Sequence, residues 1–220
     1  IFTIDDFKKA QQKQIRQIGA SVDWSREAFT FDEKRNMAVR TAFKRMYDAG
    51  LIYRGYRVIN WDPKGQTTIS DDEIVYEERD AKLYTFKYSA DFPIAISTTR
   101  PETKLGDTAL AVHPDDERYR EYVGQTYKVN FAGADLEIKV VADEAVEMEF
   151  GTGALGVTPA HSQTDAEIAL RHNLPSVQVI NEYAKIKLPI DGLEGEKAVI
   201  AREKIVEWLR KENLLIKEED

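Results

Sequence analysis

Two stretches of the sequence hold the residue types that can do chemistry. Phe150 to Asp165 reads FGTGALGVTPAHSQTD, and Ser97 to Thr103 reads STTRPET. In the later stretch Gly151, Gly153 and Gly156 let the backbone turn and approach a ligand closely. Pro159 has no N–H and ends any ladder that Val157 and Thr158 join. Ser162 stands three residues before Asp165, the spacing of a capping box at the start of a helix. The dipole and free N–H groups of a helix start favour an anion, which makes Asp165 the residue to watch. The earlier stretch places the hydroxyls of Thr98 and Thr99 and the guanidinium of Arg100 after the apolar run Ile94-Ala95-Ile96, so it is polar chemistry at a strand end.

Gly151-x-Gly153-x-x-Gly156 matches the dinucleotide fingerprint letter for letter, but that fingerprint works only after a strand and at the opening of a helix. Here Val157-Thr158-Pro159 follows, strand-like and then broken. A nucleotide-cofactor oxidoreductase is a minor reading, and glycines that only make turns are another. For hydrolysis the chain has three histidines, no cysteine and no HExxH or clustered His/Asp spacing, so neither a metal site nor a thiolate nucleophile is expected. Ser162 and His161 are adjacent in an extended segment, where neighbouring side chains tend to point apart. A serine nucleophile is therefore not expected. His161 and Phe150 each have a structural reading beside a functional one.

These stretches need elements to hold them. Residues 5–18 predict a helix opened by Asp5 or Asp6 and closed at Gly19. Thr30 to Glu33 has capping-box spacing for a second helix that carries Val39, Phe43, Met46 and Tyr47 up to Gly50. A strand over 56–61, with Trp61 assigned to the core, leads to the turn Asp62-Pro63-Lys64-Gly65. From Leu83 onward the pattern changes to short strands, beginning with Leu83, Phe86 and Tyr88 and continuing at 94–98, 109–112, 127–131, 136–142, 154–158 and 177–181. Helices are expected at 115–123, 163–172 and 196–212, the last with Ile205, Trp208 and Leu209 on one face, and the acidic end from Lys217 to Asp220 is expected to fray. Short strands linked out of βαβ register predict an α+β fold: a small β-barrel-like domain with peripheral helices, preceded by a helical segment. The expected division is 1–75, a helical and stem segment; 76–195, the main domain; and 196–220, a C-terminal helix and tail packed on it.

The 220 residues suffice for one sizeable domain with an appendage, and without cysteine no disulfide can form. No apolar run approaches the roughly 18 residues of a membrane span, and the polar, lysine-bearing start does not read as a signal peptide. A soluble, cytoplasmic protein without membrane contact is the expectation. The net charge of −8 argues against a general nucleic-acid binder. Residues 1–60, however, carry 12 Lys and Arg against 7 Asp and Glu. That part is the side a nucleic acid would meet, or else a set of solvated helix faces.

The pair STTRPETKLGDTALAVHP and FGTGALGVTPAH resembles the editing insertion of the class I synthetases for valine, isoleucine and leucine. The flank GASVDWSREAFTFDEKRNMAVRTAFKRMYDAGLIYRGYRVINWDPKGQTTISDDEI, residues 19 to 74, is similar to valyl-tRNA synthetases on the N-terminal side of that insertion. The match covers nearly the whole chain, and the family's editing domain is likewise a small barrel with peripheral helices. Neither a HIGH nor a KMSKS motif is present, so the resemblance implies a part of a synthetase without its ATP-dependent half. It implies no cofactor here, ATP in the parent enzyme, and as partners the aminoacyl 3′ end of tRNA(Val) and the rest of the synthetase chain.

The chemistry implied is attack by a positioned water on the ester of a mischarged tRNA, with no metal and no acyl-enzyme. Asp165 corresponds to the anchor of the substrate amino group, at the family's offset from His161; its other reading is an ordinary capping carboxylate. Thr98, Thr99 and Arg100 match the segment that lines the pocket and holds the terminal adenosine, while Phe150, Gly151 and Thr158 match pocket positions. Two positions depart from the family: Gly156 stands where lysine is common, and Ser162 where aspartate is. Hydroxyl recognition then passes to Thr158, Ser162 and a water, or the site is degenerate and the chain is a tRNA-binding module. A leucyl or isoleucyl type is disfavoured by the flanks.

Overall fold

The computed structural model describes residues 3–78 and 80–219. The chain divides after Tyr56 into two units. The first holds two helices. α1, Ile4–Gln17, is capped not by Asp5 or Asp6 but by Thr3: its hydroxyl accepts the N–H of Asp6, and the Asp6 carboxylate reaches back to the N–H of Thr3 at 2.9 Å. α2, Glu33–Asp48, starts at Asp32, which accepts the N–H of Arg35 at 2.8 Å, so the capping residue is Asp32 rather than Thr30. The apolar face of α2, including Phe43 and Tyr47, is exposed within this unit.

The second unit opens with a hairpin, β1 (Asn60–Asp62) and β2 (Thr67–Ile69), joined by the predicted turn. Trp61 is not a core residue; it remains 38% exposed, and its indole N–H donates to the carbonyl of Glu182 at 2.8 Å. Then come β3 (Leu83–Phe86), β4 (Ile96–Thr98), β5 (Ala109–Val112), β6 (Thr126–Phe131), β7 (Ala134–Ala142), β8 (Ala154–Val157), α3 (Gln163–His172), α4 (Ala198–Lys211) and β9 (Leu215–Glu219). Three strands form an antiparallel sheet in the order β4-β3-β9. Four form a mixed sheet in the order β6-β7-β5-β8, in which only β5 and β7 run parallel.

The fold is α+β, as the pattern of short strands predicts, but among the described residues the ladders stay separate and no closed barrel forms. Two local causes are visible. β8 stops before Thr158, whose N–H goes to Asp165, and Pro159 follows without an N–H to offer. The predicted strand over 177–181 is reduced to a single bridge between Ile180 and Ile186, because the N–H groups of Val179 and Ile180 both go to His161. The predicted helix over 115–123 is only a 3-10 turn at Arg120–Tyr122. Before it, the Asp116 carboxylate binds both the N–H and the guanidinium of Arg118 and holds the chain in a turn.

Between the sheets lies an aromatic core. Phe86 and Phe131 stack at 5.5 Å, and Tyr88, Phe92 and Trp208 meet that pair or each other edge to face. α4 contributes Ala201, Ile205, Val206 and Leu209 to the same cluster. Residues 215–219 do not fray: β9 pairs with β3 from Leu83↔Glu219 onward, and Glu218 is neutralised by Lys82 and Arg210. Asp220 lies outside the described residues.

Candidate functional site

The sequence folds so that the two chemical stretches meet. β4 ends at Thr98, whose hydroxyl accepts the N–H of Arg100 at 3.1 Å, and Pro101 then starts a 3-10 turn over Pro101–Gly106 in which every residue is buried. β8 lies on the other side, antiparallel to β5. Gly151, at φ +57, packs so closely on Ser97 that a Cβ there would sit 2.6 Å from the Cβ of Ser97. Farther along, Arg100 donates to the carbonyl of His161 at 3.3 Å. Thr98, Arg100, Gly151, Gly156, Thr158, His161, Ser162 and Asp165 therefore belong to one neighbourhood. Thr99 and Phe150 stand at its edge, exposed, the phenyl ring at 60%.

Ser162 caps α3, accepting the N–H of Asp165 at 3.2 Å. Asp165 is buried, with Oδ2 accepting the N–H of Thr158 at 2.7 Å and Oδ1 accepting the Ser162 hydroxyl at 3.0 Å. A carboxylate offers about four lone-pair positions, so two remain beyond these contacts. Because the Ser162 hydroxyl points at Asp165 and not at His161, no serine–histidine pair is assembled. The His161 ring faces the other way: Nε2 accepts the N–H of Val179 at 2.9 Å and of Ile180 at 3.1 Å. That fixes a neutral ring. Burial, helped by Arg100 nearby, lowers its pKa to about 4.

Behind Thr158 is a buried cluster that no motif revealed. The Lys104 ammonium, on the 3-10 turn, donates to the Gly156 carbonyl at 2.6 Å, to Thr158 Oγ1 at 2.8 Å and to Asp107 Oδ1 at 3.2 Å. Asp107 also accepts the hydroxyls of Thr158 and Tyr88. Burial pushes the Asp107 carboxyl above its usual range against the pull of Lys104, Thr158 and Tyr88; burial, with Asp107 alongside, pushes the Tyr88 phenol up too. Gly156 leaves no room for a side chain, since a Cβ would collide with Asp107 and Tyr88. An ammonium nonetheless sits on its carbonyl, delivered by Lys104. The only sequence signal was a lysine and an aspartate three residues apart, a spacing common on any helical surface.

Among the described residues no cluster of three His, Asp or Glu side chains is placed to hold a metal, and no helix is long and apolar enough to cross a membrane. The arrangement offers hydroxyls, backbone N–H groups, a half-exposed guanidinium and a buried carboxylate around the junction of β4 and β8.

Residues 3–212 match the family described as tRNA synthetases class I (I, L, M and V). The chain belongs to that family. Among class I tRNA synthetases, the valine–tRNA ligase of Thermotoga maritima is 47% identical over 97% of this chain, and that of a Thermus thermophilus strain is 49% identical over 94%. The chain spans about a quarter of the length of these relatives, 25% and 24% respectively. Of solved synthetase structures, GlLeuRS-CP1 aligns with 57% of this chain and 83% of its own, at 12% identity and a TM-score of 0.46.

Proposed function

We propose that this part of a class I synthetase is an editing domain that hydrolyses threonyl-tRNA(Val), water attacking the aminoacyl ester. The observation that carries the reading is the meeting of the STTR and GVTPAH stretches around Thr158 and Asp165, in a chain close to half identical to valine–tRNA ligases. Threonine and valine are near isosteres, and an apolar synthetic pocket rejects only weakly an isostere that merely adds a hydroxyl. A second, polar site discriminates better, because valine would leave buried hydrogen-bonding groups unpaired.

In this reading Asp165 takes the substrate ammonium on its remaining lone pairs, and its contacts to Thr158 and Ser162 hold the carboxylate in one orientation. Thr158 meets the substrate side chain. Thr98, Thr99, Arg100 and Phe150 hold the terminal nucleotide of the tRNA, with the guanidinium facing phosphate and the exposed ring offering a stacking surface. Gly151 keeps the backbone open at the junction, and Gly156 and Ser162 occupy pocket positions. His161 acts through its position, tying the 177–181 segment to the site. No cofactor and no acyl-enzyme take part, and modest stabilisation of the tetrahedral intermediate by N–H groups and hydroxyls suffices for an already reactive ester. The partners are tRNA(Val) and the remainder of the synthetase.

The test is deacylation of threonyl-tRNA(Val) against valyl-tRNA(Val) by this chain and by Asp165→Ala, with and without chelator. Loss of threonine alone, insensitive to chelator and abolished by the substitution, supports the reading. Equal, slow decay of both esters at saturating protein sinks it. That second outcome leaves a module that binds the tRNA end without cleaving it, a reading favoured by the near-complete burial of Asp165 and Thr158, at 5% and 1% exposure.

A further inference from the structure

The cluster behind Thr158 has a direction built into its hydrogen bonds. A threonine hydroxyl has one hydrogen to give and two lone pairs to offer. In Thr158 the hydrogen goes to Asp107, and one lone pair receives the Lys104 ammonium at 2.8 Å. One lone pair is left. All three N–H bonds of Lys104 are engaged, on Gly156, Thr158 and Asp107, so the ammonium has no freedom to turn away. Lys104 and Asp107 are 5% and 2% exposed, and water does not compete with these contacts.

We propose that Lys104, acting through Asp107, is the positioning residue that makes the Thr158 hydroxyl an acceptor, and so restricts the site to an aminoacyl side chain that carries a hydroxyl donor. This rests on the editing reading given above. A threonyl side chain can donate to the remaining lone pair of Thr158. The isosteric methyl of a valyl group cannot, and would leave that lone pair buried and unpaired. Lys104 matters because, 3.2 Å from Asp107, its ammonium favours the carboxylate form against burial. A buried carboxyl stripped of its cation gains a proton more readily and becomes a donor itself. Its O–H would then face Thr158 Oγ1 and turn the threonine hydroxyl round, from acceptor to donor.

The test uses three nonhydrolysable adenosines that carry threonine, its isostere with fluorine in place of the hydroxyl, or valine through a 3′ amide, with binding to this chain measured by calorimetry. A threonyl hydroxyl can donate or accept and re-pairs with Thr158 whichever way that hydroxyl points, whereas the fluorine cannot donate. Lys104→Met keeps the length of the side chain and removes the ammonium. Should that variant fail to fold with a lone carboxyl buried, Lys104→Met with Asp107→Asn removes both charges and keeps an acceptor for Tyr88, while the new amide N–H faces Thr158 as a donor. The expected result is that the wild type binds the threonyl compound about tenfold tighter than the fluoro compound, and that this gap narrows in either variant through tighter binding of the fluoro compound, with the threonyl and valyl affinities unchanged. A gap that is absent from the wild type, or that survives in the variants, overturns the assignment and leaves the editing reading standing. Equal weakening of all three compounds also overturns it, since that is what a merely structural role produces. If the wild type binds the threonyl and valyl compounds alike or neither, the editing reading itself has failed and this inference falls with it.

Discussion

Arg202 on α4 holds Glu102 on the 3-10 turn by two parallel N–H···O bonds of 2.8 Å each, across 100 residues of sequence. The Glu102 side chain is 1% exposed, and its other cationic neighbour, Arg100, stands 3.6 Å away. This clamp fixes the turn that carries Lys104. Arg202→Met should leave a buried carboxylate short of partners and cost about 3 kcal/mol, the low end for a broken buried pair because Arg100 remains nearby, read as a lower urea midpoint. Arg202→Lys should recover only part of it, because a point charge cannot make the bidentate contact. Full stability in the methionine variant would show that the clamp is incidental.

His161 gives the fold a dependence on pH whose sign is fixed by the direction of its shift. Its folded pKa, about 4, lies below the ordinary 6.5, so between those values the unfolded chain binds a proton that the folded chain refuses. Stability is therefore complete above about pH 6.5 and declines as pH falls toward 4, by roughly 2–3 kcal/mol. His161→Gln keeps an acceptor for Val179 and Ile180 and should flatten that part of the profile when urea midpoints are measured across it.

A second acid step belongs to Asp143. Arg171 grips its carboxylate at 2.8 and 2.9 Å, with the N–H of Ala145 and the ring of His172 also in contact, and its pKa drops from 3.8 to about 2. A depressed carboxylate stabilises above its unfolded pKa, and that contribution is lost as pH falls from about 4 to about 2. With Arg171 half in solvent, it amounts to roughly 1–2 kcal/mol. Asp143→Asn should remove this lower step and leave the His161 step in place.

Gly156 should resist substitution more firmly than its place in an apparent glycine motif suggests. A Cβ there meets the Asp107 carboxylate and the Tyr88 hydroxyl, both fixed by burial. Gly156→Ala should cost about 1–3 kcal/mol in melting experiments. Gly156→Lys should cost at least as much, because the longer side chain starts from the same collision and adds a second ammonium beside Lys104, which already sits on the Gly156 carbonyl. An unchanged melting temperature in either variant would contradict the packing described.

How far the sequence reveals this structure depends on whether the deciding contact is local. The bounds of α3 and β5 are those of the pattern, since a capping serine and an unbroken apolar run settle them within a few residues. β9 was hidden because LIKEE followed by Asp reads as a charged end; its pairing partner lies far back in the chain, and Lys82 and Arg210 supply the cations that make it a strand. The strand expected over 177–181 failed for the opposite reason. A histidine distant in sequence took the two N–H groups a ladder would have used. In the candidate site, Thr98, Arg100, Thr158 and Asp165 stand in motifs whose two stretches the structure brings together, whereas Tyr88, Lys104 and Asp107 come together only through burial, which no spacing rule records.

The pairing of Leu83 with Glu219 brings two points far apart in the chain to neighbouring strands, about 5 Å from one another. β3 therefore lies between β4 and β9, with Tyr84 opposite both Thr98 and Glu218. The last strand of the fold closes what would otherwise be an open sheet edge, and peeling it away would bare a row of N–H and C=O groups on the very strand against which Thr98 is held.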